Sequence, residues 1–117
     1  MKKPKIHTAH PKCNPLAKLL EQLSGQWTLY ILCVLDTEGE LRFGELRSKV
    51  DGISTKVLTE RLRMLEEVGI INRYHEPTIP PKVSYSLTSH GKELSEPLDY
   101  LCELASRWYS DEKEMQD

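Results

Sequence analysis

The sequence predicts a single, mainly helical domain that carries one small β-hairpin. Most of the chain repeats apolar residues at helical spacing, whereas two short runs, 70–75 and 83–87, have the composition of strands. The chain has 117 residues, of which 38% are apolar, and this is enough for one compact core but not for two. We therefore expect one α+β domain in which helices predominate.

Two helices are predicted in the first third of the chain. Asn14 is a good N-cap residue, and leucines follow it at helical spacing until Gly25 offers a C-terminal stop. The run 26–35 is apolar almost all round, which predicts a central helix buried on most sides, with Cys33 inside it. Residues 37–39 are then expected to form a turn.

A helix, a glycine turn and a second helix are predicted next. Residues 41–43 favour a short extended piece, and a helix follows from about Gly44 to Val50 before Asp51-Gly52 turns the chain. Ser54 can cap the helix after this turn, and Gly69 can end it. Leucines recur in that helix at i, i+4 and i+7, and we expect them to face the core: Leu58, Leu62 and Leu65.

A hairpin and a final helix complete the pattern. In the second strand-like run, Val83, Tyr85 and Leu87 are expected on a buried face, with the two serines between them on a wet face. Thr88 can cap the last helix, which Pro97 must kink or restart. Two short helices joined by a glycine-containing turn and followed by a hairpin form the winged helix-turn-helix arrangement, here with additional N- and C-terminal helices.

One face of the second helix of this pair combines cations with hydrogen-bonding side chains. With the leucines turned inward, at about 100° per residue, four side chains point outward: Lys56, Thr59, Glu60 and Arg63. Ser54 and Thr55 lie at its N-terminal end, where backbone N–H groups can hold phosphate. Arg73 and Lys82 on the hairpin could reach a flanking phosphate or the minor groove. An ordinary solvated surface is the alternative interpretation of this face.

The distribution of charge suits a nucleic-acid partner, although the net charge is −2. Residues 1–12 are basic and are expected to form a flexible arm before a domain at 13–110. Between Arg42 and Arg63, six cations outnumber three acids, and beyond Glu93 the chain is acidic, ending in an acidic tail at 111–117. Such polarity fits a protein that turns one face toward DNA and its acids away from the phosphates.

Several other classes of protein are excluded at this stage. No stretch has the length of a membrane span or the apolar run of a signal peptide, so a cytoplasmic protein is expected. Three widely spaced cysteines without a CxxC pair indicate free thiols. His7, His10 and Cys13 could supply three metal ligands, but no fourth is evident, and we expect no metal or cofactor. No catalytic motif is recognisable, so an enzyme is not expected.

Five segments together form a specific set of motifs. They are Cys13-Asn14-Pro15, LSGQWTLYIL from Leu23, LRFGEL from Leu41, GISTKVLTERLRMLEEVGII from Gly52 and PPKVSYSLTSHGKEL from Pro80. In this order and spacing, from about Cys13 to Trp108, the sequence resembles the HxlR-type regulators of the winged-helix superfamily. The resemblance implies a homodimer that binds double-stranded operator DNA, which we expect to be an inverted repeat. The contacts that it implies are Ser54, Lys56, Thr59, Arg63 and Lys82.

The family dimerises through its first and last helices. Here both helices carry apolar stripes, and the C-terminal stripe is larger than so small a core can hide. The residues expected in the dimer interface are Leu16, Leu20, Leu98, Leu101, Ala105 and Trp108. The alternative is a monomer in which the C-terminal stripe only covers its own domain.

Some members of the family sense oxidants or electrophiles through a cysteine near the N-terminus, where Cys13 lies. Cys13 precedes the Asn14 cap, so the positive end of the helix and neighbouring Lys12 would favour the reactive thiolate. An inert thiol is the alternative, and an oxidant or small molecule is the effector that sensing would imply. Cys102 could pair across a dimer interface or serve as a small buried hydrophobic residue.

A winged-helix module that binds protein instead of DNA is the competing function. Such a module would more often present apolar residues on the face where Lys56 and Arg63 lie. The cations there favour DNA.

Overall fold

The computed structural model describes the backbone of residues 15–116 and the side chains of residues 15–110. It confirms the mainly helical fold with a small antiparallel sheet. The elements in chain order are α1 (Pro15–Leu23), α2 (Thr28–Glu38), β1 (Leu41–Arg42), α3 (Phe43–Lys49), α4 (Thr55–Glu67), β2 (Ile71–Glu76), β3 (Lys82–Leu87), α5 (Ser89–Lys92) and α6 (Ser95–Gln116). The predicted order is thus confirmed, with α5 as an additional helical turn.

The core lies between α2, α3, α4 and one face of the sheet. The three leucines predicted to face inward on α4 are at most 2% exposed. They pack in one cluster with Ile31, Leu32 and Leu35 of α2 and with Leu46 of α3. Burial of a leucine or isoleucine side chain contributes about 1.5–3 kcal/mol relative to exposure, so these residues hold the helices together.

The helix α2 differs from its prediction in both length and burial. It continues through Glu38, so residues 37 and 38 are helical, and Gly39 ends it with a φ of 83°. Only one side of α2 is buried, because Leu29 and Tyr30 are 40% and 48% exposed. The apolar run 26–35 therefore led us to predict more complete burial of this helix than the single chain shows.

The sheet has the strand order β1-β3-β2, so β3 is its central strand. Ser84 pairs with Arg42 on one side and Tyr74 on the other. The prediction of a wet face at Ser84 was wrong, since the residue is 4% exposed and its hydroxyl donates to the carboxylate of Glu40. The extended piece expected at 41–43 is present as β1, and its pairing with β3, which was not predicted, is what encloses Ser84.

The chain restarts twice after the hairpin. The Thr88 hydroxyl is a helix cap, as predicted, and accepts a hydrogen bond from the Gly91 N–H at 2.9 Å, but the helix that it caps is α5 and not the last helix. That helix, α5, ends at Lys92, and α6 begins at Ser95, so Pro97 occupies the third position of α6, where no intrahelical N–H bond is required. The backbone of α6 continues to Gln116, so residues 111–116 of the predicted acidic tail belong to this helix.

Gly91 is a point of close backbone approach between α5 and the start of β2. A Cβ atom at position 91 would lie 2.1 Å from the carbonyl oxygen of Ile70. The same carbonyl accepts a hydrogen bond from the Thr88 N–H at 3.0 Å, so it has little freedom to move. Glycine at 91 therefore permits α5 to dock against the chain that leaves α4.

We predict that Gly91→Ala destabilises the protein by about 2 kcal/mol or more, because the added methyl group overlaps backbone atoms. Urea unfolding followed by circular dichroism measures this change. Gly44→Ala is the matched control, since no atom lies within 4 Å of a Cβ at position 44. Alanine should be neutral or stabilising by about 0.5–1 kcal/mol there. Equal effects of the two substitutions would contradict the close approach at Gly91.

Candidate nucleic-acid interface

The turn between α3 and α4 fixes where α4 begins. Val50 and Ile53 are buried in this turn, and the Ile53 N–H donates to the Val50 carbonyl at 3.2 Å. Gly52 has a φ of 93°, a left-handed conformation that glycine adopts without a steric cost. Ser54 caps α4 as predicted, with its Oγ accepting from the Val57 N–H at 3.1 Å. The turn and its cap present α4 as the second helix of a helix-turn-helix pair.

The face of α4 opposite the leucines is polar and open to solvent. Lys56, Glu60 and Arg63 are exposed, whereas Thr59 is half-buried. The Thr59 hydroxyl donates to the Thr55 carbonyl at 2.8 Å, so its oxygen can still accept a hydrogen bond. The predicted set at the start of α4, Ser54 and Thr55, is also exposed. One helix thus brings together five of the seven residues predicted to contact DNA.

The two predicted contacts on the wing lie on opposite faces of the hairpin. Arg73 pairs with Tyr85, which belongs to the face that packs on the core, whereas Lys82 pairs with Glu76 on the other face. Glu76 also forms an ion pair with Arg42, whose Nη2 lies 3.4 Å from Glu76 Oε1. Both predicted cations are exposed. Each face of the hairpin therefore carries one of the two predicted cations.

A contact that the sequence analysis missed holds α4 against the turn between α1 and α2. Arg61, on a side of α4 away from the polar face, donates from Nε to the Gln26 carbonyl at 3.0 Å. The neighbouring Trp27 adopts a φ of 81°, which is costly for a non-glycine residue, and its ring stacks on Tyr30 with centroids 6.4 Å apart. A Cβ at Gly52 would lie 3.3 Å from the same ring. No periodicity signal reveals such a contact, because it joins a turn to a helix 35 residues later.

The apolar residues predicted in a dimer interface divide into two groups. Leu16, Leu20, Leu101 and Trp108 are 38%, 51%, 50% and 64% exposed, and Ala105 is exposed too. Leu98 differs, since at 3% exposure it packs in the core of its own chain. The first turns of α6 lie over the core, and its later turns extend beyond it. Other large apolar side chains that were not predicted are also exposed on α1, α2 and α6: Leu19, Leu29, Tyr30, Tyr100 and Tyr109.

Two cysteines face each other across α2 and α6. The Sγ atoms of Cys33 and Cys102 are 4.0 Å apart, and Cys102 is exposed, so it is not the buried hydrophobic residue considered above. Asp36 and Asp99 meet one turn along the same pair of helices, and their shared hydrogen bond is the main cause that raises the pKa of Asp99. Cys13, His7 and His10 lie outside the described residues. Within residues 15–110, no three metal-ligating side chains converge.

A buried core, a helix-turn-helix pair and a three-stranded wing define a winged helix-turn-helix protein. Within the part of the chain that the structure describes, no helix has the length and apolarity needed to cross a membrane. The chain belongs to the HxlR-like helix-turn-helix family, whose model matches residues 22–113. The resemblance noted from the sequence motifs is thereby confirmed.

Individual relatives agree with this assignment. An HTH-type transcriptional regulator of Synechocystis is 42% identical over 98 residues, which are 84% of this chain and 72% of that protein. The solved structure of the regulator YtcD superposes with a TM-score of 0.76 at 36% identity, covering 83% of this chain and 98% of that one. The reduced redox regulator HypR superposes with a TM-score of 0.75 at 31% identity, covering 87% and 99%. The family and these relatives are transcriptional regulators, not enzymes.

We predict that Arg61 and Arg63 have separable roles on α4. Arg61→Ala should lower the free energy of unfolding by about 1–2 kcal/mol, because the Gln26 carbonyl loses a charged hydrogen-bond donor. Arg63→Ala, at an exposed position, should change it by less than about 0.5 kcal/mol. Urea unfolding of both variants measures the difference. If the two arginines contribute equally to stability, Arg61 does not hold α4 to the turn.

Proposed function

We propose that this protein is a sequence-specific DNA-binding transcriptional regulator that acts in the cytoplasm as a homodimer on an inverted-repeat operator. The observation that carries the proposal is the exposed polar face of α4, which combines Lys56 and Arg63 with hydroxyl groups directly after a helix-turn-helix turn. Such a helix fits the major groove, where arginine can contact guanine O6 and N7. A face for binding protein would be apolar instead.

The N-terminal end of α4 is suited to a phosphate. The Thr55 and Lys56 N–H groups lie in the first turn of the helix, where no intrahelical acceptor is available to them. The Lys56 side chain adds a positive charge at the same end. We assign phosphate contacts to Ser54, Thr55 and Lys56, and base contacts to Thr59 and Arg63.

The wing supplies the flanking contacts in this proposal. Because Arg73 and Lys82 lie on opposite faces of the hairpin, only one of them can face a given phosphate strand while the hairpin lies flat on it. A hairpin that enters the minor groove edge-on would place one cation near each strand. If both Arg73 and Lys82 contact DNA, the hairpin therefore enters the minor groove edge-on.

We predict that the purified, reduced protein enriches an inverted repeat from a random DNA pool, with half-site centres about 34–36 Å apart along the duplex. Arg63→Ala should weaken operator binding by about 1–3 kcal/mol per half-site and relax the preference at one base pair of each half-site. Lys56→Ala should weaken binding to all sequences alike and reduce the slope of log K against log salt by about 1.8, since each chain of the dimer loses one phosphate contact worth about 0.9. Fluorescence anisotropy at several salt concentrations measures both quantities.

Arg107→Ala is the charge-matched control, since it also lowers the net charge by one but lies on α6 away from α4. It should leave the base preference unchanged. No enriched sequence from the pool would instead support the protein-binding alternative.

The homodimer is proposed from the apolar surface of α1, α2 and α6. Seven of its side chains are 40% or more exposed in the single chain: Leu20, Leu29, Tyr30, Tyr100, Leu101, Trp108 and Tyr109. Aromatic residues at this density are typical of protein interfaces and unusual on a monomer surface. A second copy of the chain would cover the face, and a two-fold dimer matches an inverted repeat.

We predict that Leu101→Glu/Trp108→Glu converts the dimer into a monomer, because charged side chains would be buried in the interface without partners. Gel filtration with light scattering measures the mass. Ile79→Glu is the control, since Ile79 is fully exposed at the tip of the wing and should not affect the mass. If the unmodified protein is a monomer at micromolar concentration, the dimer proposal fails.

We further propose that an oxidant or electrophile acts on Cys13 and thereby changes operator affinity. The reduced and oxidised forms of HypR, a redox regulator, have the same fold as this chain at 31% and 32% identity. The proposal rests on the position of Cys13 beside Lys12 and a helix start at Pro15.

The prediction for Cys13 uses the Cys33→Ser/Cys102→Ser variant, in which Cys13 is the remaining thiol. Treatment with benzoquinone, which alkylates a thiolate by addition, should weaken operator binding at least about tenfold, equivalent to about 1.4 kcal/mol. The same treatment of the variant that also carries Cys13→Ser is the control. Unchanged affinity with Cys13 shown by mass spectrometry to be alkylated would exclude a sensing role.

A further inference from the structure

Cys33 and Cys102 lie where the helices α2 and α6 meet. Cys33 is on α2, the helix that places Ile31, Leu32 and Leu35 in the core. Cys102 is on α6, one turn after the buried Leu98. Their Sγ atoms are 4.0 Å apart, although the residues are 69 positions apart in the sequence. A disulfide has an S–S length of about 2.05 Å, so the two sulfur atoms need to approach by about 2 Å.

We propose that Cys33 and Cys102 form an intrachain disulfide site for two-electron thiol oxidants, which covalently joins α6 to α2. The site is separate from Cys13 and does not depend on DNA binding. Its placement is specific, since Cys102 contacts Cys33 of α2 and is followed on α6 by the exposed residues Ala105, Trp108 and Tyr109. A bond there would fix the direction in which α6 leaves the core.

The surroundings of the two thiols determine the order of the reaction. Burial, followed by the neighbouring Cys102, raises the pKa of the Cys33 thiol to about 11. The negative charges of Asp36 and Asp99 are smaller causes of the same rise. Cys33 is therefore protonated at neutral pH and half-buried, whereas Cys102 is exposed. In the single chain an oxidant therefore reaches Cys102 first, and Cys33 is the resolving thiol.

With the azo compound diamide as oxidant, the reaction balances in two steps. The Cys102 thiolate adds to one nitrogen of the N=N bond, and the other nitrogen takes up a proton. The Cys33 sulfur then attacks the Cys102 sulfur, so that the S–S bond forms and the S–N bond breaks. The leaving nitrogen takes the electron pair of that bond and the Cys33 proton. Diamide is reduced to the hydrazine, and the two thiols are oxidised to one disulfide.

The consequence for regulation rests on the proposed function, whereas the chemistry does not. Because α6 carries much of the proposed dimer surface, a bond at Cys102 would fix the angle between this surface and the core that holds α4. The disulfide would also close a long loop of the unfolded chain, which stabilises the folded state. The fixed angle and the added stability would both follow from a bond in the first half of α6.

The test begins with the Cys13→Ser variant, in which Cys33 and Cys102 are the remaining thiols. After diamide treatment and alkylation of free thiols, trypsin cuts after Lys18, Arg42, Lys92 and Arg107, so the two cysteines lie on different peptides, 19–42 and 93–107. We expect these peptides to be joined in a species that runs as a monomer on a non-reducing gel. The oxidised protein should also have a higher Tm than the reduced protein.

Two controls keep the result specific. Cys13→Ser/Cys33→Ser and Cys13→Ser/Cys102→Ser should yield no joined peptide and no shift in Tm after diamide. Alkylation of both peptides in treated Cys13→Ser, or joining only in a species that runs as a dimer, would overturn the proposal. Neither measurement uses DNA, so failure of the disulfide leaves the proposed operator binding intact, and failure of operator binding leaves the disulfide intact.

Discussion

The structure depends on the burial of one face of α4. Leu58, Leu62 and Leu65 are committed to the core, and this fixes the rotation of the helix about its axis. Once the rotation is fixed, the residues about 180° away, including Lys56 and Arg63, are necessarily exposed. The chemistry of the candidate interface is therefore a consequence of packing: a leucine stripe at i, i+4 and i+7 determines which side chains a groove could receive.

Rotation alone does not fix where the helix begins or how it tilts, and separate contacts do so. The Ser54 cap and the positive φ of Gly52 set the first residue of α4. Arg61 ties the middle of the helix to the Gln26 carbonyl, and the Trp27 ring lies against Gly52. The turn between α1 and α2 thus contacts α4 at Arg61 and the turn before α4 at Gly52. The left-handed conformation of Trp27 is retained because these contacts surround it.

The sequence predicted well those features that arise from local periodicity and local hydrogen bonding. The Ser54 and Thr88 caps, the α4 leucines and the helix-turn-helix order all depend on residues within one or two helical turns of each other. Features that depend on distant segments were missed or wrong. Ser84 is buried because β1, more than 40 residues earlier, pairs with β3. Leu98 and Cys102 lie four residues apart on α6, yet one is buried and the other exposed, since the core ends between them.

The end of the core along α6 explains why one helix can serve two purposes. Up to Cys102 its inward face packs on α2, so this part of the helix extends the winged helix-turn-helix domain. Beyond Cys102 the same face continues as Ala105 and Tyr109, which are both exposed. A helix anchored at one end and free at the other transmits any change of angle at the anchor to the whole free surface. In the proposed dimer, the contact between α2 and α6 is therefore where a small chemical change would most affect the interface.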